Sequence, residues 1–150
     1  MGAAASGGVL ILDANMVKEF GLSQREVEEA VARSRKELER QEKTFRPGRT
    51  EIELAGRVVI LTDDGIATGQ TMLAAIEAAK RLGAARVLVA TGVAPSSTLE
   101  QIGGQVDEVV CLLTPQNFRA VGTFYEDFSQ VTDEGVKRLL SLASGKEEAR

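Results

Sequence analysis

Val58, Val59, Ile60 and Leu61 form an unbroken apolar run that stops abruptly at Thr62, Asp63, Asp64 and Gly65. A short run of this kind, rich in β-branched residues, has the pattern of a strand buried on both faces of a parallel sheet. The sequence after it repeats the alternation. Thr71 to Leu82 carries Met72, Ile76 and Ala79 at helical spacing, Lys80 and Arg81 in its last turn, and Gly83 where a C-cap glycine belongs. Arg86 to Val93 reads as a second buried strand and Val109 to Leu113 as a third. Between them, Ser97 with Glu100 reads as an S-x-x-E capping box opening a short helix. Strand, helix, strand, helix, strand at these separations predicts an α/β unit with a parallel sheet and right-handed crossovers.

The flanking segments are simpler. Val9 to Leu12 reads as a short strand ending at Asp13 and Asn15. Ser23 with Glu26 forms another capping box, and the segment from there to about Lys43, free of Gly and Pro, predicts a helix. More than half of its residues are charged, with Glu29 and Arg33, and Glu39 and Lys43, at the i, i+4 spacing. Its apolar stripe of Val27, Val31 and Leu38 is narrow, so a solvated surface helix is expected. Phe45, Arg46, Pro47 and Gly48 end it, Ile52 and Leu54 suggest a short edge strand, and Ala55 with Gly56 makes a turn. After Pro115 the chain becomes rich in loop residues until Thr132, an N-cap for a last helix through Leu140, and the tail from Ser144 is expected to fray.

Composition removes several functions. The chain has 150 residues, enough for one domain with its own core. A net charge of −4 and 4% aromatic residues argue against a nucleic-acid partner, which needs clustered cations or a stacking platform. There is no His and one cysteine, Cys111, inside an apolar run where a thiol acts as a small hydrophobe. Zinc sites and His-activated nucleophiles therefore have almost nothing to work with. No apolar stretch reaches the roughly 18–20 residues of a membrane span, and MGAAASGG lacks the basic start of a secretory signal. The cytoplasm is the expected location, with no membrane partner.

Ligands in open parallel sheets bind beyond the carboxyl ends of the strands, which is where the segment after Leu61 falls. Gly65, Ala67 and Gly69 keep that loop small, so its amides and the first amides of the helix near Gln70 can approach an anion at the positive end of the helix dipole. Thr68 and Thr71 add hydroxyl donors. Asp63 and Asp64 would repel that anion if both faced it. They are accounted for if they face a sugar, accept hydrogen bonds from vicinal ribose hydroxyls and help hold a magnesium ion. A plain polar turn capped by Asp64 would explain the acidic pair alone, but not the Thr68, Gly69, Thr71 that follow.

Rival motifs fail at named residues. A Walker loop needs four residues between its glycines and then Lys, whereas three separate Gly65 from Gly69 and Gln70 follows. The dinucleotide fingerprint G-x-G-x-x-G is absent. A receiver domain would need a phosphoacceptor Asp at a later strand end, and the third strand ends in Thr114 and Pro115.

VVILTDDGIATGQT resembles the phosphoribosyl-diphosphate signature of type I phosphoribosyltransferases: an apolar strand, two acids, then a small-residue T-G-x-T loop. The charged helix from Ser23, the FRPG connection and the late stretch AVGTFYEDFSQVTDE extend the likeness, over most of the chain, to a subgroup of uncharacterised phosphoribosyltransferase-like proteins. The resemblance implies a three-layer α/β fold, a Rossmann-like parallel sheet flanked by helices, in one domain over residues 1–150, with a small C-terminal hood. It implies that Asp63 and Asp64 act in catalysis on the ribose hydroxyls. Gly65, Ala67, Thr68, Gly69, Gln70 and Thr71 would complete the phosphoribosyl site, the last five on the 5-phosphate. The implied ligand is 5-phosphoribosyl diphosphate or a nucleoside monophosphate. The implied cofactor is magnesium, held by Asp63 and Asp64 in part through ribose hydroxyls or water, and the implied reaction is phosphoribosyl transfer to a nitrogenous acceptor such as a nucleobase.

Thr62 and Gly65 depart from the apolar residues usual in the broad family at those positions. The family also implies a further N-terminal strand, an R-G-G diphosphate loop and a lysine-bearing strand, none of which is found upstream of Gly7. An N-terminally shortened member is expected, with an exposed sheet edge or face that favours a homodimer. Its alternative is a phosphoribosyl- or nucleotide-binding module without turnover. Phe124, Tyr125 and Asp127 could form part of a hood over the acceptor base; equally, Phe124 and Phe128 could be core and Tyr125 surface.

Overall fold

The computed structural model describes residues 2–5 and 9–12 as backbone, and residues 21, 23–45 and 53–143. Asp13, Asn15, the Arg46–Gly48 break, Ile52 and the tail from Ser144 lie outside them. The elements are strands β1 (Gly2–Ala5) and β2 (Val9–Leu12), helix α1 (Gln24–Phe45), strand β3 (Val58–Gly65), helix α2 (Gln70–Arg81), strand β4 (Arg86–Val93), helix α3 (Ser96–Gly103), strand β5 (Glu108–Leu113), a 3-10 turn at Val121–Phe124, and helix α4 (Asp133–Ala143).

The sheet is parallel, with β4 between β3 and β5. Its register sets Val59 beside Val87, Leu61 beside Val89, Asp63 beside Thr91 and Gly65 beside Val93. Alternate residues of β4, namely Val87, Val89, Thr91 and Val93, are buried. They lie on the face that packs with Met72, Ile76 and Ala79 of α2 and Ile102 of α3, while Val59, Leu61, Val109 and Cys111 close the core from the neighbouring strands. Parallel pairing requires a crossover helix between each pair of strands, and α2 and α3 are those helices. At the end of α2, Gly83 has φ +81°, and the amide of Ala84 donates to Ala79 O at 3.1 Å, closing the helix.

The other face differs from the expectation of strands buried on both sides. Val58 is 58% exposed, Ile60 60% and Leu112 84%. These residues alternate with the core positions, so β3 and β5 are strands whose second apolar face is left exposed by the described residues. Glu53 and Leu54 are not in a strand, although the Ala55–Gly56 turn forms as expected.

β1 and β2 pair antiparallel as a separate ribbon, and both lie against α2. Helix α1 packs against β1 and α4 and has no buried residue. Its capping box is reciprocal: Glu26 N donates to Ser23 Oγ at 3.3 Å and Ser23 N to Glu26 Oε2 at 2.9 Å. Those bonds hold the Glu26 carboxyl below its ordinary value, the Ser23 side chain contributing most. Glu29 pairs with Arg25 at 3.0 Å, not with Arg33, and Arg40 bridges Glu37 at 2.9 Å and Asp133 at 3.0 Å, joining α1 to α4. These pairs are exposed, where water and salt screen them and side-chain entropy opposes them, so they add little to stability. Thr132 caps α4 as read, its Oγ1 accepting from Gly135 N at 3.2 Å. The box at Ser97 does not form. α3 begins two residues earlier, at Ser96, with Pro95 at the N-cap (φ −66°, ψ 147°) and no side-chain cap; the proline ring holds φ and leaves no N–H of its own to be paired at the helix entry. Among the described residues no helix is long and apolar enough to cross a membrane.

Burial assigns the two faces different energetic weights. Ile76→Ala, at 2% exposure, is expected to lower unfolding free energy by about 2–5 kcal/mol. Ile60→Ala is expected to change it by no more than about 0.5 kcal/mol. Urea melts of the two variants check the assignment; similar losses would contradict it.

Candidate active site at the carboxyl edge of the sheet

β3 does not end at Leu61. It continues through Asp63, Asp64 and Gly65, so the acidic pair belongs to the strand and takes its direction from the sheet. Alternation sends neighbouring side chains to opposite faces, but both carboxylates turn back onto the main chain. Asp63 Oδ1 accepts from Asp64 N at 2.9 Å, and Asp64 Oδ1 accepts from Gly65 N at 2.7 Å. Partial removal from water pushes the Asp63 carboxyl above its ordinary value, and the hydrogen-bonded, like-charged Asp64 pushes it further.

The loop beyond is built on packing. Ile66 is buried at 3% exposure, and its amide donates to Val93 O at 2.9 Å, extending the strand pairing. Thr98 of α3, also buried, donates its Oγ1 to Ala67 O at 2.8 Å. Gly69 is the N-cap of α2 at φ +77°, in the left-handed region. A Cβ there would stand 3.1 Å from Thr98 Cγ2, so conformation and space both favour glycine. Gly69, having no side chain, gives α2 no side-chain cap of its own. Ala67, Thr68 and Thr71 are exposed around its N-terminus and Gln70 is half-buried. The pattern read from the sequence thus gathers Asp63, Asp64, Gly65, Ala67, Thr68, Gly69, Gln70 and Thr71 along one strand-to-helix connection.

Residues not singled out from the sequence also contribute. Thr98 steadies the loop across 31 positions. The Thr91 hydroxyl is buried beside Asp63 in the register without a hydrogen-bond partner, a costly arrangement for a core position. Gly92 carries no pattern signal, yet a Cβ on it would stand 2.6 Å from Asp64 O and collide with the Tyr125 hydroxyl. A Cβ on Gly65 would stand 2.7 Å from Val121 Cγ2. Both glycines clear the carboxyl edge for the segment after β5.

The three residues read as a hood separate in role. Tyr125 reaches the acidic pair directly, its hydroxyl donating to Asp64 O at 2.6 Å. Phe124 stacks on Phe118 with ring centroids 5.8 Å apart. Asp127 accepts from Ser129 N at 2.9 Å, and bonds from Ser129 hold its carboxyl below the ordinary value. Phe128 is 48% exposed, so it is not a core residue; its ring lies 5.4 Å from that of Tyr125.

The donor set of the edge is two carboxylates. Among the described residues no group of three or more His, Cys, Asp or Glu side chains is placed to hold a metal ion. Two hard oxygen donors fit magnesium, which commonly takes one or two carboxylates and fills its shell with substrate oxygens and water.

An open parallel sheet whose carboxyl edge carries an acidic pair, a small-residue loop and a glycine-capped helix start defines the α/β class that takes its ligands at that edge. The chain belongs to the phosphoribosyl transferase domain family, whose model matches residues 4–129. It is 38% identical over 142 residues to Putative phosphoribosyl transferase Rv0571c of Mycobacterium tuberculosis, a match covering 95% of this chain and 32% of that protein. It is 40% identical over 60 residues to the ribose-phosphate pyrophosphokinase of Pyrococcus furiosus, covering 39% of this chain and 22% of the other. The solved structure of TT1426 from Thermus thermophilus superposes with a TM-score of 0.72 at 38% identity, covering 91% of this chain and 64% of that one. The fold is therefore the phosphoribosyltransferase-like α/β fold, and the chain spans about a third of the mycobacterial relative's length.

The Asp63 environment has a pH signature. Its raised carboxyl binds a proton more readily folded than unfolded. The stability this contributes is fully present below the ordinary carboxylate value and is lost as pH rises through the raised one. Asp63→Asn removes that loss while keeping an oxygen for the Asp64 amide. The variant is expected to melt above the wild type at pH 7, with the gap closing as pH falls below the ordinary carboxylate range. Calorimetric melts at stepped pH check this, and a wild type that melts higher at pH 7 would contradict it.

Proposed function

We propose that the chain binds 5-phosphoribosyl diphosphate with magnesium and transfers the phosphoribosyl group to a nitrogenous acceptor of the nucleobase class. The observation that carries the reading is the placement of Asp63 and Asp64 on the strand that feeds the Gly69-capped start of α2. A sugar phosphate has hydroxyls for the first and an anion for the second. Family membership over residues 4–129 supports the reaction class.

In this reading the amides opening α2, with the hydroxyls of Thr68 and Thr71, bind the 5-phosphate, aided by the positive end of the helix dipole. The carboxylates of Asp63 and Asp64 accept hydrogen bonds from the vicinal ribose hydroxyls and hold the sugar while its anomeric carbon becomes exposed. The bond from that carbon to diphosphate breaks and diphosphate leaves with its electron pair, while the acceptor nitrogen bonds to the carbon and gives up its proton to solvent. The transition state resembles an oxocarbenium ion, so negative charge near the ribose and fixed orientation supply most of the help the chain gives. Asp63 and Asp64 would also be the protein ligands of magnesium, whose charge, when bound, offsets that of the departing diphosphate.

The double variant Asp63→Asn with Asp64→Asn is expected to abolish magnesium-dependent binding of 5-phosphoribosyl diphosphate while the far-ultraviolet circular dichroism stays unchanged. Isothermal titration calorimetry checks it, and unchanged affinity would refute the site. Transfer itself is tested by release of diphosphate from the donor across a panel of nucleobases. A chain that binds the donor and releases none with any base is a binding module, and the enzymatic reading fails.

A further inference from the structure

The Tyr125 hydroxyl crosses 61 positions to donate to Asp64 O at 2.6 Å. That carbonyl and the Gly65 amide belong to one planar peptide unit. The same Gly65 amide donates to the Asp64 carboxylate at 2.7 Å. The Gly65–Val93 register and the Ile66 N bond to Val93 O already seat this peptide against β4, and Tyr125 adds a second hold on one end of a rigid plate whose other end holds the carboxylate. Rotation of the plate would move both bonds together, and hydrogen bonds at the two ends of a peptide polarise one another.

The surrounding packing is arranged around this contact. Gly92 stands beneath it on β4, where a Cβ would meet both the tyrosine hydroxyl and Asp64 O. Gly65 leaves room for Val121, at the start of the turn that delivers Tyr125. The ring of Tyr125 rests against Phe128, which keeps it in place without burying it: the residue is 38% exposed.

We propose that Tyr125 is a positioning residue for the Asp64 carboxylate, acting through the Asp64–Gly65 peptide and coupling the segment after β5 to the ribose side of the site. The part of this proposal that concerns ligand binding rests on the assignment of Asp63 and Asp64 to the ribose. Tyr125→Phe removes the hydroxyl and keeps the ring, so the fold is retained and the melting temperature stays within a few degrees of wild type.

Two measurements on the full chain decide the matter. Amide exchange by nuclear magnetic resonance is expected to speed up at Gly65 by about fivefold to tenfold, the scale of one hydrogen bond, with Val59 and Val89 unchanged. Calorimetric affinity for 5-phosphoribosyl diphosphate with magnesium is expected to fall by a similar factor. A merely structural role would instead lower the melting temperature and speed exchange throughout the sheet, which overturns the proposal. Unchanged exchange at Gly65 overturns it too, as does faster exchange with unchanged donor affinity. If the wild-type chain binds no donor, the functional reading falls by itself, and exchange at Gly65 still decides whether Tyr125 positions Asp64.

Discussion

Val89 has no exposed surface, and it stands in the central strand with Leu61 beside it on β3 and Val109 beside it on β5. Burying this row beneath α2 and α3 fixes the strand register, because a slip of one residue would turn the whole apolar set of β4 toward solvent. With register fixed, the position of every residue at the carboxyl edge is fixed as well. Asp63 must stand beside Thr91, and Gly65 beside Val93. The site is thus an extension of the core pattern, two residues beyond Leu61, and needs no separate scaffold.

The same dependence explains why small residues gather there. The loop from Ile66 to Gly69 is pinned by a backbone bond to Val93 and by the Thr98 hydroxyl, and the segment from Val121 to Tyr125 comes down on the strand ends. Three pieces of chain distant in sequence converge on a few ångströms of backbone. Side chains at Gly65 or Gly92 would occupy that space.

The sequence was most legible where physics is local or strictly periodic. Arg86–Val93 alternates under one set of helices and ends where its pattern ends; Gly83 and the Ser23–Glu26 box depend on contacts within a turn or two. It was least legible where a distant segment decides. The apolar run at Val58 has the same composition whether one face or two are covered, so its bare side could not be read. Ser97 fits a capping box by spacing, yet Pro95 starts the helix first. Tyr125 could be placed near the site by its stretch of sequence, but not its bond to Asp64 O, which depends on how the chain returns across the sheet.

The bare face has a thermodynamic consequence. Apolar surface at Val58, Ile60 and Leu112 is left exposed by the described residues, and it is exposed again after unfolding. Surface wet in both states adds nothing to the heat-capacity change, which comes from apolar area newly opened to water. These three side chains should therefore contribute less to the heat-capacity increment of unfolding than buried residues of similar size such as Ile76.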